Sequence, residues 1–202
     1  TVNRFANAIL SLGIKQGDRI GLLLPNCPQF VISFWSILTM GGIVVNMNPM
    51  YTEEELEFMT KTTELKAMIT FDALIGKMEA LVQRVSIPHI IITRLSDYIP
   101  GQGQATAESL GIKDKGWHHF GQLLEATVSH SRPRPTIKPE DPCVIQFTGG
   151  TTGVPKGATL THSNIVAGIY ENMYWGSSVI NPIPVERRKS FCVLPYYHIY
   201  GE

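Results

Sequence analysis

Residues 19–52 read RIGLLLPNCPQFVISFWSILTMGGIVVNMNPMYT. After Arg19 this stretch holds no charged side chain. It divides into three pieces: an apolar run over 19–24 closed by Pro25, an apolar run over 29–40 closed by Gly41-Gly42, and a β-branched run over 43–47 closed by Asn48-Pro49. Proline and glycine end regular elements, so the punctuation sets the boundaries. The first and third pieces have strand length and the second has helix length, which predicts strand, helix, strand. A transmembrane reading fails, because a span needs about 20 mainly apolar residues in succession and Pro25, Asn26, Pro28, Gln29, Gly41 and Gly42 interrupt the run.

The same alternation extends in both directions. Val2, Phe5, Ala6, Ile9 and Leu10 fall on one helical face, ending near Gly13. Thr52 and Glu55 form a capping-box pattern ahead of a predicted helix over 53–62. A strand follows over 66–70, a helix over 73–85 and a strand over 89–93. The four strands start about 23 residues apart, the spacing of β-helix-β crossovers. Continuously apolar strands indicate a parallel sheet covered on both faces. From 96 to 142 the pattern dissolves into Gly, Gln, Pro and charge, with one helix expected near 120–128, and strands return over 143–147 and 191–194. The expected fold class is α/β, a mostly parallel sheet flanked by helices.

Composition narrows the function. The 202 residues carry 17 Lys plus Arg against 17 Asp plus Glu, a net charge of zero. No nucleic-acid or anionic-membrane partner is therefore expected on electrostatic grounds. An apolar content of 44% excludes disorder, and three Cys exclude a disulfide scaffold. Cys27, Cys143 and Cys192 read as reduced core thiols of a cytosolic protein. Tyr170, Tyr174 and Trp175 read as the core side of a helix, with an acyl tunnel as the alternative. His118, His119 and His130 read as surface residues, and residues 186–189 as a solvated turn. No His/Cys cluster has metal-site spacing, so no metal ligand is assigned. The chain begins with Thr1 and ends at Glu202, and both ends look like cuts in a longer protein.

One segment carries chemistry: Thr148-Gly149-Gly150-Thr151-Thr152-Gly153-Val154-Pro155-Lys156-Gly157. Closely spaced glycines let backbone approach a ligand, successive N–H groups in such a loop form an anion-binding concavity, and Thr hydroxyls and a Lys charge complete a site for polyphosphate. It is no Walker loop, since Val154 and Pro155 stand where the second glycine would have to be and Gly157 follows Lys156. Gly101-Gln102-Gly103 lacks the third glycine of a dinucleotide fingerprint, Thr106 standing in its place. A flexible Gly/Thr turn that binds nothing is the plain alternative.

The segment 148–157 with the following Ala158-Thr159-Leu160-Thr161-His162-Ser163-Asn164 closely resembles the phosphate loop of the adenylate-forming (AMP-binding) enzymes, the group of acyl-CoA synthetases, luciferases and peptide-synthetase adenylation domains. Residues 38–49 (LTMGGIVVNMNP) and 194–201 (LPYYHIYG) resemble that family's flanking motifs in the right order, and Gly17-Asp18-Arg19-Ile20 fits its lead-in. The Gly-Gly-Thr-Thr-Gly form, with Gly149 where many members have Ser, is similar to medium- and long-chain fatty acyl-CoA synthetases. The resemblance implies that the chain is part of a large N-terminal AMP-binding domain, with a mobile C-terminal domain encoded beyond it. It implies activation of a fatty acid by ATP to an acyl-adenylate, followed by thioester formation with coenzyme A, with Mg2+ sharing the phosphate charge. Thr148, Gly149, Gly150, Thr151, Thr152, Gly153 and Lys156 would bind the nucleotide, Lys156 and Thr151 being the catalytic pair. His198 and Tyr197 would face the substrate. Read alone, His198 is a core residue among aromatics; the resemblance turns it toward the acid. A cytoplasmic location is implied, peripheral contact with the inner membrane face being left open, and the chain by itself is expected to be inactive. A ligase for an aryl, short-chain or amino acid and a non-catalytic nucleotide-binding module are the alternatives.

Overall fold

A computed structural model describes residues 1–148, 155–189 and 191–198. The elements are α1 (Val2–Ser11), β1 (Arg19–Leu23), α2 (Pro28–Thr39), β2 (Ile43–Asn46), α3 (Glu53–Thr63), β3 (Ala67–Phe71), α4 (Ile75–Val82), β4 (His89–Thr93), β5 (His118–His119), α5 (Phe120–Ala126), β6 (Pro142–Thr148), β7 (Lys156–Thr161) and α6 (His162–Ile180), with short 3-10 turns between them. The strands form one seven-stranded sheet in the order β5-β4-β3-β1-β2-β6-β7. Every pairing is parallel except the last, where β7 runs antiparallel to β6. The α/β class, mostly parallel and flanked by helices, is as the sequence pattern indicates.

The central strands are buried on both faces because their side chains alternate between two cores. Ile20, Leu22, Val44, Ala67, Ile69, Ile91 and Val144 meet α1, α2 and α5 through Phe5, Ile9, Phe34, Ile37 and Phe120. Leu23, Val45, Met47, Met68 and Phe147 meet α3 and α4 through Leu56, Met59, Met78 and Leu81. This is the packing a parallel sheet requires, since its crossovers put helices on both faces. Local chemistry fixes the helix ends. Pro28 occupies the first turn of α2, where its missing N–H costs nothing. Gly41 follows the helix with φ +77°, and the amides of Gly41 and Gly42 bond back to the carbonyls of Leu38 and Ile37 (3.0 and 2.8 Å), closing α2 before β2 begins. The capping box of α3 is formed in both directions, Glu55 N to Thr52 Oγ1 at 3.3 Å and Thr52 N to Glu55 Oε2 at 2.7 Å.

Several expectations are corrected. Residues 191–194 form no strand. Their carbonyls at Cys192 and Leu194 accept from the side chain of Asn26 rather than from a ladder partner, and Phe191 is 91% exposed. His119 is buried, because the two-residue strand β5 pairs with β4 and carries it beside Asp97 (Nε2 to Oδ2 3.4 Å). Of the three thiols only Cys143 is a core residue; Cys27 is half-buried at the N-cap of α2 and Cys192 is exposed. Tyr170, Tyr174 and Trp175 lie on the exposed surface of α6, which buries none of its residues against the described chain. No helix among the described residues is long and apolar enough to cross a membrane.

Candidate functional site

Strands β1, β2 and β6 end at the same edge of the sheet, with Leu22 level with Asn46 and Asn46 level with Gln146. Two residues beyond Gln146, Thr148 pairs with Lys156 across the neck of a β-hairpin. The segment 148–157 thus joins two strands, β6 and β7, that pair antiparallel. Strand β7 carries no strand signal of its own, because KGATLT is polar and contains glycine. Its first four residues are exposed, so no apolar pattern marks it. Thr148 Oγ1 donates to the Lys156 carbonyl at 3.4 Å, and both side chains are exposed. Gly157 permits the hairpin to close over the sheet: a Cβ there would stand 3.0 Å from Ile145 Cγ2 and 3.5 Å from Phe147 Cζ. Phe147 is buried against the edge of the Phe58 ring (centroids 6.5 Å). Gly149, Gly150, Thr151, Thr152 and Gly153 lie outside the described residues.

A polar chain runs from the sheet to the second predicted element of the site. Asn46 Nδ2 donates to Gln146 Oε1 at 3.2 Å, and Gln146 Nε2 donates to the Tyr197 carbonyl at 3.1 Å. Asn46 and Gln146 are buried. Buried amides of this kind require partners, so the chain fixes Tyr197 over the end of β6. Tyr196 stacks obliquely on Phe30 of α2 with centroids 5.5 Å apart. The segment then turns, His198 N donating to the Pro195 carbonyl at 3.0 Å, and His198 is exposed. Tyr197 and His198, remote in sequence from Thr148 and Lys156, therefore stand at the same sheet edge. In open α/β sheets ligands bind beyond the carboxyl ends of the strands.

Sequence reasoning missed Asn26, Asn46 and Gln146. All are neutral amides, and their partners are 51 to 170 residues away, so no local pattern announces them. A separate cavity of about 280 Å³, lined by Thr93, Asp97, Phe120 and Leu124 among others, opens at the end of β4. Strands β3, β1 and β2 separate it from β6, and it takes no part in this site. No group of three or more His, Cys, Asp or Glu among the described residues could hold a metal ion.

Against known proteins, the model of the AMP-binding enzyme family matches residues 1–202. The chain belongs to the AMP-binding enzyme family. A long-chain-fatty-acid–CoA ligase of Bacillus subtilis is 36% identical over 198 residues, covering 94% of this chain and 35% of the ligase. A 4-coumarate–CoA ligase of Arabidopsis thaliana is 32% identical over 200 residues, covering 99% of this chain and 33% of that protein. The crystal structure of a long-chain-fatty-acid-CoA ligase from Archaeoglobus fulgidus superposes with a TM-score of 0.73 at 21% identity, over 98% of this chain and 34% of the other. The chain thus spans about a third of the length of the relatives it matches.

Proposed function

We propose that this chain is the phosphate-loop-bearing part of a larger N-terminal domain in an ATP-dependent fatty acyl-CoA ligase. The observation that carries the proposal is the convergence at one sheet edge: Thr148 paired with Lys156 at the hairpin neck, and Tyr197 tethered to Gln146 beside it. An anion-binding turn next to a substrate-facing segment is the arrangement that carboxylate adenylation needs.

In the proposed reaction the fatty carboxylate attacks the α-phosphorus of ATP. The bond from that phosphorus to the α,β-bridging oxygen breaks, and pyrophosphate leaves with the electron pair. The coenzyme A thiol then attacks the acyl carbonyl and AMP departs. The protein's task is positioning and charge stabilisation rather than covalent chemistry. The hydroxyls of Thr148, Thr151 and Thr152 and the loop N–H groups of Gly149, Gly150 and Gly153 would hold the β- and γ-phosphates. Lys156 would offset the charge that builds on the departing pyrophosphate, with Thr151 aligning it. His198 and Tyr197 would border the carboxylate and the start of the acyl chain. Magnesium is expected to accompany ATP; no group of three or more His, Cys, Asp or Glu among the described residues could hold it.

The long-chain ligase relatives and the Gly149 form of the loop favour a fatty acid. The plant 4-coumarate ligase, at 32% identity, keeps an aryl acid as the second reading. Pyrophosphate release by the full-length ligase with carboxylic acids of graded chain length separates them. Turnover rising with chain length supports the proposal, and turnover confined to aryl acids refutes it.

A further inference from the structure

Three contacts converge on one side chain outside the phosphate loop. Asn26 lies in the link from β1 to α2. Its Nδ2 donates to the carbonyls of Leu194 (2.7 Å) and Cys192 (3.2 Å), and its Oδ1 accepts from the Tyr196 amide (2.7 Å). A single primary amide thus satisfies backbone groups of residues 192, 194 and 196, 166 to 170 positions away in the chain. That segment is not part of the sheet, so side chains rather than a strand ladder fix its path. Gln146 holds the next residue, Tyr197, through its backbone carbonyl. His198 follows directly.

We propose that Asn26 is a positioning residue for substrate: it sets the path of residues 192–196 and thereby aims His198 at the acid. The proposal rests on the reading that Tyr197 and His198 border the carboxylate. It explains why an amide is used. Two donors and one acceptor are needed, and only Asn and Gln carry an NH2 group and a carbonyl oxygen in one neutral side chain, a hydroxyl or a neutral imidazole offering a single donor. Aspartate has the same shape and can still accept from Tyr196, but it sets negative oxygen against two carbonyl oxygens. Asn26 is exposed in the short link, three residues past the end of β1 and directly before the N-cap of α2, so the two flanking elements anchor its backbone.

The test uses the full-length ligase with wild type, Asn26→Asp, Asn26→Gln, His198→Ala and the Asn26→Asp/His198→Ala double variant. Michaelis constants for acid and for ATP are measured separately, with melting curves for each protein. Asn26→Asp is expected to raise the acid KM about tenfold, the change that 1.4 kcal/mol makes and about what two lost net hydrogen bonds amount to. The ATP KM is expected to stay within about twofold. Asn26→Gln, which keeps the amide on a longer stem, is expected to recover part of the loss. In the His198→Ala background Asn26→Asp is expected to add nothing, because both act through one group. An unchanged acid KM in Asn26→Asp while His198→Ala raises it would overturn the proposal, as would additive losses in the double variant. If His198→Ala itself leaves the acid KM unchanged, the substrate-facing reading of His198 fails and the proposal fails with it. Should Asn26→Asp not fold, Asn26→Gln carries the same comparison.

Discussion

Replacing Gln146 with leucine should damage stability and the site together, and the structure sets the size of the damage. Gln146 is only 9% exposed and makes two side-chain bonds, accepting from Asn46 Nδ2 at 3.2 Å and donating to the Tyr197 carbonyl at 3.1 Å. Leucine matches its size and supplies neither. Taking a partner from a buried donor costs about 1–3 kcal/mol, and the part-buried bond to Tyr197 adds about 0.5–1.5 kcal/mol. The replacement leucine recovers some of this through apolar burial, leaving a net loss of roughly 2–3 kcal/mol. Unfolding entropy grows by about 2.1 cal/mol/K per residue, so in a protein about three times this chain's length the melting temperature falls by about 1.5–2.5 °C. The assay is thermal unfolding of the full-length protein, repeated with Asn46→Leu and with both changes. Because Asn46 and Gln146 face each other, the double variant should lose less than the sum of the singles, the difference being about 0.5–3 kcal/mol. Strictly additive losses, or a Gln146→Leu melting temperature equal to that of wild type, would refute the claim that this amide pair stabilises the sheet edge.

Burial holds the His119 ring neutral and lowers its pKa, while Asp97 draws it the other way. His118 and His162 are lowered by burial as well. In each case the unfolded chain binds more protons below the ordinary histidine value of about 6.5. Their contribution is therefore full above about pH 6.5 and lost as the pH falls toward the folded values, so urea midpoints should drop between about pH 7.5 and pH 5.5. His119→Gln should flatten that acid limb, and an unchanged slope would remove His119 from the account. Phe5→Ala should cost about 3–5 kcal/mol, since Phe5 is fully buried with its ring 4.2 Å from Phe120. Denaturant unfolding reads that cost, and a loss under about 1 kcal/mol would contradict the packing of α1 against α5.

The parallel core was readable because its signals are local. Pro25, Gly41 and Asn48-Pro49 punctuate residues 19–52, and each strand is apolar enough to be recognised without knowing its neighbour. What escaped depends on distant partners. Strand β7 exists because β6 offers it an edge; its own residues are too polar to announce it. Phe191-Cys192-Val193-Leu194 carries a strand-like pattern, yet finds no ladder among the described residues and is held by Asn26 instead. His119 looked like a surface residue in an irregular stretch, and only the pairing of β5 with β4 buries it. The Gly/Thr motif could be read from the sequence, but the antiparallel pairing of β6 with β7 that flanks it could not. The amides that tie the site together could not be seen, since neutral Asn and Gln are ordinary residues until their partners are known.

The central claim is that the 148–157 segment binds the phosphates of ATP during activation of a fatty acid. Fatty-acid-dependent pyrophosphate release by the full-length ligase, compared between wild type and Lys156→Ala, tests it most directly. The account predicts that the variant loses at least about tenfold in that rate, or about 1.4 kcal/mol of transition-state stabilisation, with fatty acid binding little changed. A Lys156→Ala enzyme that releases pyrophosphate at the wild-type rate would contradict it.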